Sequence, residues 1–329
     1  QSRCFEMLMP PDSLEKTRAF PKTVSLLPAG TELVSSIAAA DCLVGRSHEC
    51  DWPPEVKRLP ALTAARIDPM ASSSDIDQQV KESGGKPLFS VDESLLAHLA
   101  PDLILTQAAC DVCAVDAKQV LSIADTIRLE DGTSPTVLTL SPESLEDLFS
   151  DIVRVGEALN AQDQASHLSS ELKKRCEHIT TQCDALSRGH TKPTIALIEW
   201  LDPPMSAGNW VPEMIHMAGA VDALKADAGK SHWIEWADVA AADPDIVILI
   251  PCGFELERVL TEAKTPAVWP HLKDLRATHE GSLFAVDGHH LFNRPGPRLV
   301  DSLEVLAELL HPQSFQFEAT ARFAKRIET

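Results

Sequence analysis

The sequence predicts an α/β fold: two Rossmann-like lobes with mostly parallel sheets, joined by one long spanning helix, with a cleft between the lobes. Three observations predict it. Short apolar runs alternate with helical patterns in both halves of the chain. That alternation implies parallel strands covered on both faces. A helical pattern from about Asp163 to Leu186 links the halves, and at ~1.5 Å per residue it spans roughly 36 Å. Four loops rich in polar, sulfur-bearing and ring-bearing residues each follow a strand-like run, which is where open α/β sheets carry their binding sites.

The elements follow in order. Residues 1–22 are polar and Pro-rich and read as an N-terminal arm. Thr23 to Leu27 is a short buried strand. Pro28-Ala-Gly30 breaks it, and Thr31 is placed to cap a helix from Glu32 to about Ala40. Leu43 to Gly45 is a second strand. Glu55 to Lys86 reads as irregular, with a short helix near Asp75 to Glu82. A helix over Asp92 to Leu99 is closed by Pro101. A strand over Leu103 to Thr106, a helix near Ala117 to Ile123 and a strand over Thr136 to Leu140 complete the first lobe's alternation. Ser141-Pro142-Glu143 is a helix start, and that helix runs to about Leu159. In the linking helix Leu168, Leu172, Cys176, Ile179 and Cys183 recur near the helical period. The second half places strands at Thr194–Ile198, Ile246–Leu249 and Leu283–Val286. Its helices fall at Pro212–Gly219, Ala237–Ala242, Glu255–Ala263 and Arg298–Leu310. The organisation is an arm (1–22), an N-terminal lobe (23–160), a spanning helix (161–190), a C-terminal lobe (191–315) and a tail (316–329).

The bulk numbers exclude several function classes. The chain has 329 residues, enough for two cores, and a formal net charge of −20. That charge argues against nucleic acid and anionic membrane surfaces as partners. No apolar run approaches the roughly 20 residues that span a bilayer. Eight cysteines in so long a chain are not a disulfide scaffold. No signal peptide is visible, and the cysteines look unpaired, so a cytoplasmic or organellar location is expected over a periplasmic one. Tyrosine is absent, so the aromatic walls of any pocket come from six Trp and ten Phe. No GxGxxG, P-loop or HExxH is present. Asp202 and Glu213 have no matching nucleophile motif, so catalysis is not expected.

Several motifs carry a family resemblance. They are Ser25-Leu-Leu-Pro-Ala-Gly-Thr-Glu32, Leu43-Val-Gly-Arg-Ser-His-Glu-Cys-Asp-Trp-Pro53, Pro101-Asp-Leu-Ile-Leu-Thr-Gln107 with Cys110-Asp-Val-Cys113, and Glu199-Trp-Leu-Asp-Pro-Pro204. Gly208-Asn-Trp-Val-Pro-Glu213, Ala242-Asp-Pro-Asp-Ile-Val247, Pro251-Cys-Gly-Phe254 and Asp287-Gly288 with Phe292-Asn-Arg-Pro-Gly-Pro-Arg298 complete the set. Over about residues 23–312 the chain resembles the helix-linked (class III) substrate-binding proteins of cobalamin and ferric-siderophore ABC importers. Within them it is most similar to the cobalamin-binding-like subgroup. The resemblance implies two stiff α/β lobes around a spanning helix, a small-molecule ligand such as cobalamin or a related corrinoid between them, no catalysis, and an ABC permease as partner. The chain departs from the subgroup in having Trp52 where Tyr is frequent, and His289-His290 where small or aromatic residues are expected.

The loops offer two chemistries. In the first, Trp52, Trp200, Trp210 and Phe254 wall a pocket for a large planar ligand, while His48, Asn209 and Arg294 make polar contacts. Arg294 equally suits an ion pair tying the lobes together. His289 and His290 are adjacent, and in an extended segment they point to opposite sides, so at most one faces the cleft. In the second chemistry, Cys110 and Cys113 hold zinc or an Fe–S cluster, completed by Cys50, Cys252 or His48. The plain alternative for these cysteines is a set of small buried residues. A thiol-dependent enzyme using one of them is the remaining reading.

Overall fold

The computed structural model describes residues 20–37, 40–107, 117–225 and 229–328. The first lobe opens with β1 (Thr23–Ser25), α1 (Pro28–Ile37) and β2 (Leu43–Arg46). It continues through β3 (Thr63–Ala65), α2 (Ser73–Glu82), β4 (Phe89–Val91), α3 (Glu93–Leu99) and β5 (Leu103–Gln107). It closes with α4 (Ala117–Ala124), β6 (Thr136–Leu140) and α5 (Leu145–Ala158). The sheet order is β2-β1-β5-β6, parallel throughout.

The spanning helix α6 runs over Gln162–Ser187. The second lobe follows with β7 (Thr194–Leu201), β8 (Pro204–Ser206), α7 (Val211–Met217), β9 (Val221–Asp222) and β10 (His232–Trp233). Next come α8 (Trp236–Ala242), β11 (Ile246–Leu249), α9 (Leu256–Ala263), α10 (Trp269–Leu272), α11 (Arg276–His279) and β12 (Leu283–Val286). The chain ends with α12 (Leu299–Leu310), α13 (Glu318–Phe323) and β13 (Ala324–Arg326). The sheet order is β10-β8-β7-β11-β12-β13, with β9 beside β7. Its centre, β7-β11-β12, is parallel. The flanking strands β8, β10 and β13 are antiparallel.

Several local expectations are corrected. α1 begins at Pro28, not near Glu32, because proline fits the first helical turn, where its missing N–H costs nothing. Thr31 therefore lies inside the helix, and its hydroxyl is 3.3 Å from the Leu27 carbonyl. Ser144, rather than Ser141, caps α5 by accepting from the Asp147 amide. β3, paired antiparallel with β4, falls in the stretch expected to be irregular, and β4 lies just after it, where no strand was expected. Each of these strands has three residues, too few for a two-residue alternation to register. The expected tail instead supplies α13 and the edge strand β13.

One apolar core runs through both lobes. It takes Leu27 and Leu33 from the first lobe, Leu148 and Ile152 from α5, and Leu172 and Ile179 from α6. It continues into Leu197 and Ile248 of the second sheet and Leu303 and Leu306 of α12. Arg175 on α6 adds a polar clamp, lying 2.6 Å from Asp301 and 2.8 Å from Glu304 on α12. α5 and α6 approach so closely that a Cβ added at Gly156 would lie 2.2 Å from the Ala165 Cβ. Gly156→Ala is expected to force the helices apart at a cost of about 1–3 kcal/mol, read as a lower midpoint in urea unfolding. An unchanged midpoint would show that α5 shifts freely.

Candidate functional site

The loop after β2 is held by side-chain hydroxyls. Thr63 Oγ1 on β3 lies 2.9 Å from Ser47 Oγ and 2.6 Å from His48 Nδ1, and it accepts the His48 amide at 2.9 Å. The His48 ring also packs edge-on against Phe89, 5.0 Å between centroids. Its Nε2 is 3.2 Å from a Glu49 oxygen, within ion-pair reach but not aligned as a hydrogen bond. Cys50 lies behind the loop at 1 % exposure, 3.0 Å from the Thr31 hydroxyl. Burial pushes its thiol up to about 11.

Asp51 points from this loop into the second lobe. Arg294 donates to its Oδ1 at 2.6 Å, and His289 Nε2 lies 2.6 Å from its Oδ2. Arg294 also reaches the Glu49 carbonyl at 3.3 Å and His289 Nε2 at 2.7 Å. One turn further on, Arg298 donates to both oxygens of Glu32, from Nε at 3.0 Å and Nη2 at 2.5 Å. Glu32 and Arg298 are buried, at 2 % and 7 % exposure. Burial opposes the charge on Asp51. Contacts with His289 and Arg294 outweigh it and hold the carboxyl well below the usual carboxylate range.

The loop after β12 is a turn, not an extended segment, and this overturns the expectation for its two histidines. Asp287 caps the turn, accepting the amides of His289 at 3.1 Å and His290 at 2.8 Å. It also holds His290 Nδ1 at 3.0 Å. Both rings therefore lie on the Asp51 side, 4.8 Å apart and nearly perpendicular. Gly288 permits this turn, since a Cβ there would fall 2.2 Å from the Pro251 carbonyl oxygen.

A second set of contacts joins the lobes at Trp200 and Phe254. Phe254 is 1 % exposed and lies edge-on to Trp200, with centroids 5.3 Å apart. Arg258 stacks over Phe254 at 3.5 Å and donates to the Pro69 and Ala71 carbonyls of the first lobe. Ser73 at the start of α2 gives its amide and hydroxyl to Glu262, at 2.8 and 2.6 Å. The Trp200 indole donates to the Ser73 carbonyl at 3.2 Å, and Ile76 packs on the second lobe's core.

These positions sort the expected site residues. Trp52 is half-buried, its ring 5.0 Å from the Arg298 guanidinium and 5.2 Å from that of Arg322. Trp200 is half-buried beside Phe254. Trp210 is not a cleft wall: it is buried in the main core, and its indole donates to the Phe292 carbonyl at 2.6 Å. Phe254 lies under Arg258 and Trp200 rather than facing open space. Asn209 is exposed, in the left-handed region at φ 55°. Arg294 ties the lobes, as its alternative reading expected. Cys110 and Cys113 lie outside the described residues. Among the described residues, the three potential metal ligands that fall together are Asp51, His289 and His290, and the group includes neither Cys50 nor Cys252. Sequence reasoning did not assign Glu32, Asp51, Asp287 or Arg298. Their signal was present, because all four lie in the motifs that carry the resemblance.

The family described as "Periplasmic binding protein" matches residues 24–279. The chain belongs to that family. This binding protein is therefore non-catalytic. It is 24% identical over 298 residues, 90% of this chain and 81% of the relative, to the uncharacterized ABC transporter substrate-binding lipoprotein YvrC of Bacillus subtilis (strain 168). Its fold matches a periplasmic heme binding protein from Pseudomonas aeruginosa with a TM-score of 0.71 and 19% identity, covering 94% of this chain and 99% of that one. It also matches the periplasmic vitamin B12 binding protein BtuF of Vibrio cholerae, with a TM-score of 0.65, 15% identity and coverage of 90% and 99%. Membership of a periplasmic family and similarity to a lipoprotein overturn the expected cytoplasmic or organellar location. That expectation rested on the visible N-terminus and on cysteine usage, neither of which bears on the family. Among the described residues no helix is long and apolar enough to cross a membrane.

Glu32→Ala leaves Arg298 buried without its carboxylate. The substitution is expected to cost about 3–5 kcal/mol of unfolding free energy, measured by urea denaturation. A loss under about 1 kcal/mol would mean that water reaches the guanidinium and screens it.

Proposed function

We propose that this binding protein captures a large, flat, metal-bearing ring compound, cobalamin or a related corrinoid, between the strand exits of its two sheets and delivers it to an ABC permease. The observation that carries the reading is the pair of half-buried tryptophans at those exits, Trp52 after β2 and Trp200 at the end of β7. A macrocycle needs flat apolar faces with a few polar groups around them. Trp52 and Trp200 supply the faces, and His48 and Asn209 supply the polar contacts, while Arg294 stays on Asp51 and sets the loop that carries Trp52. The similarity in fold to proteins named for vitamin B12 and for heme supports a ring of this size, because both ligands are flat metal-bearing macrocycles. Trp200 already donates its indole hydrogen to Ser73, so ligand entry there displaces the 69–76 segment.

The test is a parallel calorimetric and absorbance titration of reduced, metal-stripped protein with cobalamin and with haem. Saturable one-to-one binding of cobalamin is expected, at micromolar affinity or better. Trp52→Ala and Trp200→Ala should each weaken it about tenfold, the loss of one aromatic contact of roughly 1.4 kcal/mol. Binding of haem alone would keep the macrocycle and reject the corrinoid. No saturable binding of either would sink the reading.

A further inference from the structure

The junction of Asp51, His289 and His290 has a hydrogen-bonding conflict that protons do not resolve. Arg294 can only donate, and its Nη2 lies 2.7 Å from His289 Nε2, so that nitrogen must offer a lone pair. The same nitrogen lies 2.6 Å from Asp51 Oδ2, which also offers only lone pairs. If Nε2 carries a proton instead, it faces the arginine N–H. One of the two contacts is left repulsive in either tautomer. His290 adds a second nitrogen without such a conflict. Its Nδ1 is taken by Asp287 at 3.0 and 3.1 Å, which leaves the Nε2 lone pair free. That lone pair is 3.7 Å from the same Asp51 oxygen. Three lone-pair donors thus converge within 4.8 Å of one another.

We propose that Asp51 Oδ2, His289 Nε2 and His290 Nε2 bind a divalent first-row transition-metal ion that bridges the two lobes. Two imidazoles and one carboxylate are a borderline-soft ligand set suited to such an ion, and three protein ligands leave one position open. Ligand atoms on a tetrahedral zinc lie roughly 3.3 Å apart, given Zn–N and Zn–O lengths of ~2.0–2.2 Å. The 3.7 Å separation is already close to that. The 2.6 Å contact lengthens as the ion enters, and its repulsion is relieved. Asp287 is the outer carboxylate that fixes the tautomer of a ligating histidine. Arg294 gives up His289 Nε2 to the ion and keeps the other Asp51 oxygen and the Glu49 carbonyl. Three carboxylates, Glu32, Asp51 and Asp287, are set against two guanidiniums, Arg294 and Arg298, which leaves an excess of negative charge around the ligand set. The three side chains are 13–17 % exposed, so solvent reaches the site without flooding it.

The test is titration of the full, reduced, metal-stripped chain with Zn²⁺ against a chromophoric chelator, with Co²⁺ absorbance as the readout of ligand type. It contains no macrocycle, so its outcome is independent of the cobalamin titration. One tight equivalent is expected, unaffected by Cys110→Ser with Cys113→Ser, and with Co²⁺ bands free of thiolate charge transfer. His290→Ala and His289→Ala should each weaken it at least about 100-fold. His290→Gln, which keeps volume and polarity, serves if the alanine variant does not fold, and it should show the same loss. Zinc should also raise the melting temperature of the wild type and not that of the histidine variants. Binding that survives the histidine changes and vanishes with the cysteine pair would overturn the proposal, as would no binding at all.

Discussion

Two arginines from one short segment fix how the lobes meet. Arg294 and Arg298 reach Asp51 and Glu32, both on the first lobe. A guanidinium as deeply buried as these is costly without a carboxylate in hydrogen-bonding contact, and the partners are more than 240 residues away in sequence. The segment between them is Pro295-Gly296-Pro297. Its prolines fix φ, and its glycine packs against Glu32 so closely that a Cβ would lie 3.2 Å from Oε2. The arginines therefore arrive as a preformed pair. The position of Asp51 then sets the loop after β2, including Trp52, whose ring lies over Arg298.

The core makes this junction stiff. Apolar side chains of α5, α6 and α12 run without a break from one sheet to the other. Bending the lobes apart would expose part of that surface at about 25 cal/mol per Å². A continuous core of this kind favours small local adjustments over a wide hinge. The junction histidines share this rigidity, because the turn that presents them is held by Asp287 and pressed against Pro251.

The fold was legible in the sequence because its signals are long and repeated. Alternating strands and helices gave the first sheet and the parallel centre of the second, but not its flanking strands β8, β9, β10 and β13, and the apolar period from Leu168 to Cys183 gave α6. Helix starts were less legible, since Pro28 and Ser144 act through cap geometry that competing residues nearby imitate. The site was legible only as loops. Polar, ring-bearing residues at strand exits marked where a site sits, but not which side chains meet. Trp210 shows the limit: loop-like neighbours suggested a cleft wall, yet its indole finds a carbonyl in the core. His289 and His290 show it again, because a tight turn capped by Asp287 reverses the alternation that an extended segment would impose. Asp51 and Glu32 went unassigned because long-range ion pairs leave no periodic trace.

The two sets of lobe contacts differ in strength, and the difference bears on access. The Asp51–Arg294 and Glu32–Arg298 pairs are charge-assisted and largely buried, so separating them leaves bare charges in a poorly solvated place, at several kcal/mol. The contacts of residues 69–76 are of another kind. Arg258 donates there to neutral carbonyls, Trp200 donates to one more, and only Glu262 brings a charge to Ser73. Each such bond is worth about 1–2 kcal/mol, and water replaces it readily once the segment lifts. Burial without a carboxylate in contact already disfavours the charge on Arg258, so exposing it to water returns solvation rather than removing it. The side at Trp200 and Phe254 therefore opens at lower cost than the side at Asp51. A ligand that stacks on Trp200 replaces the very segment whose release uncovers that ring.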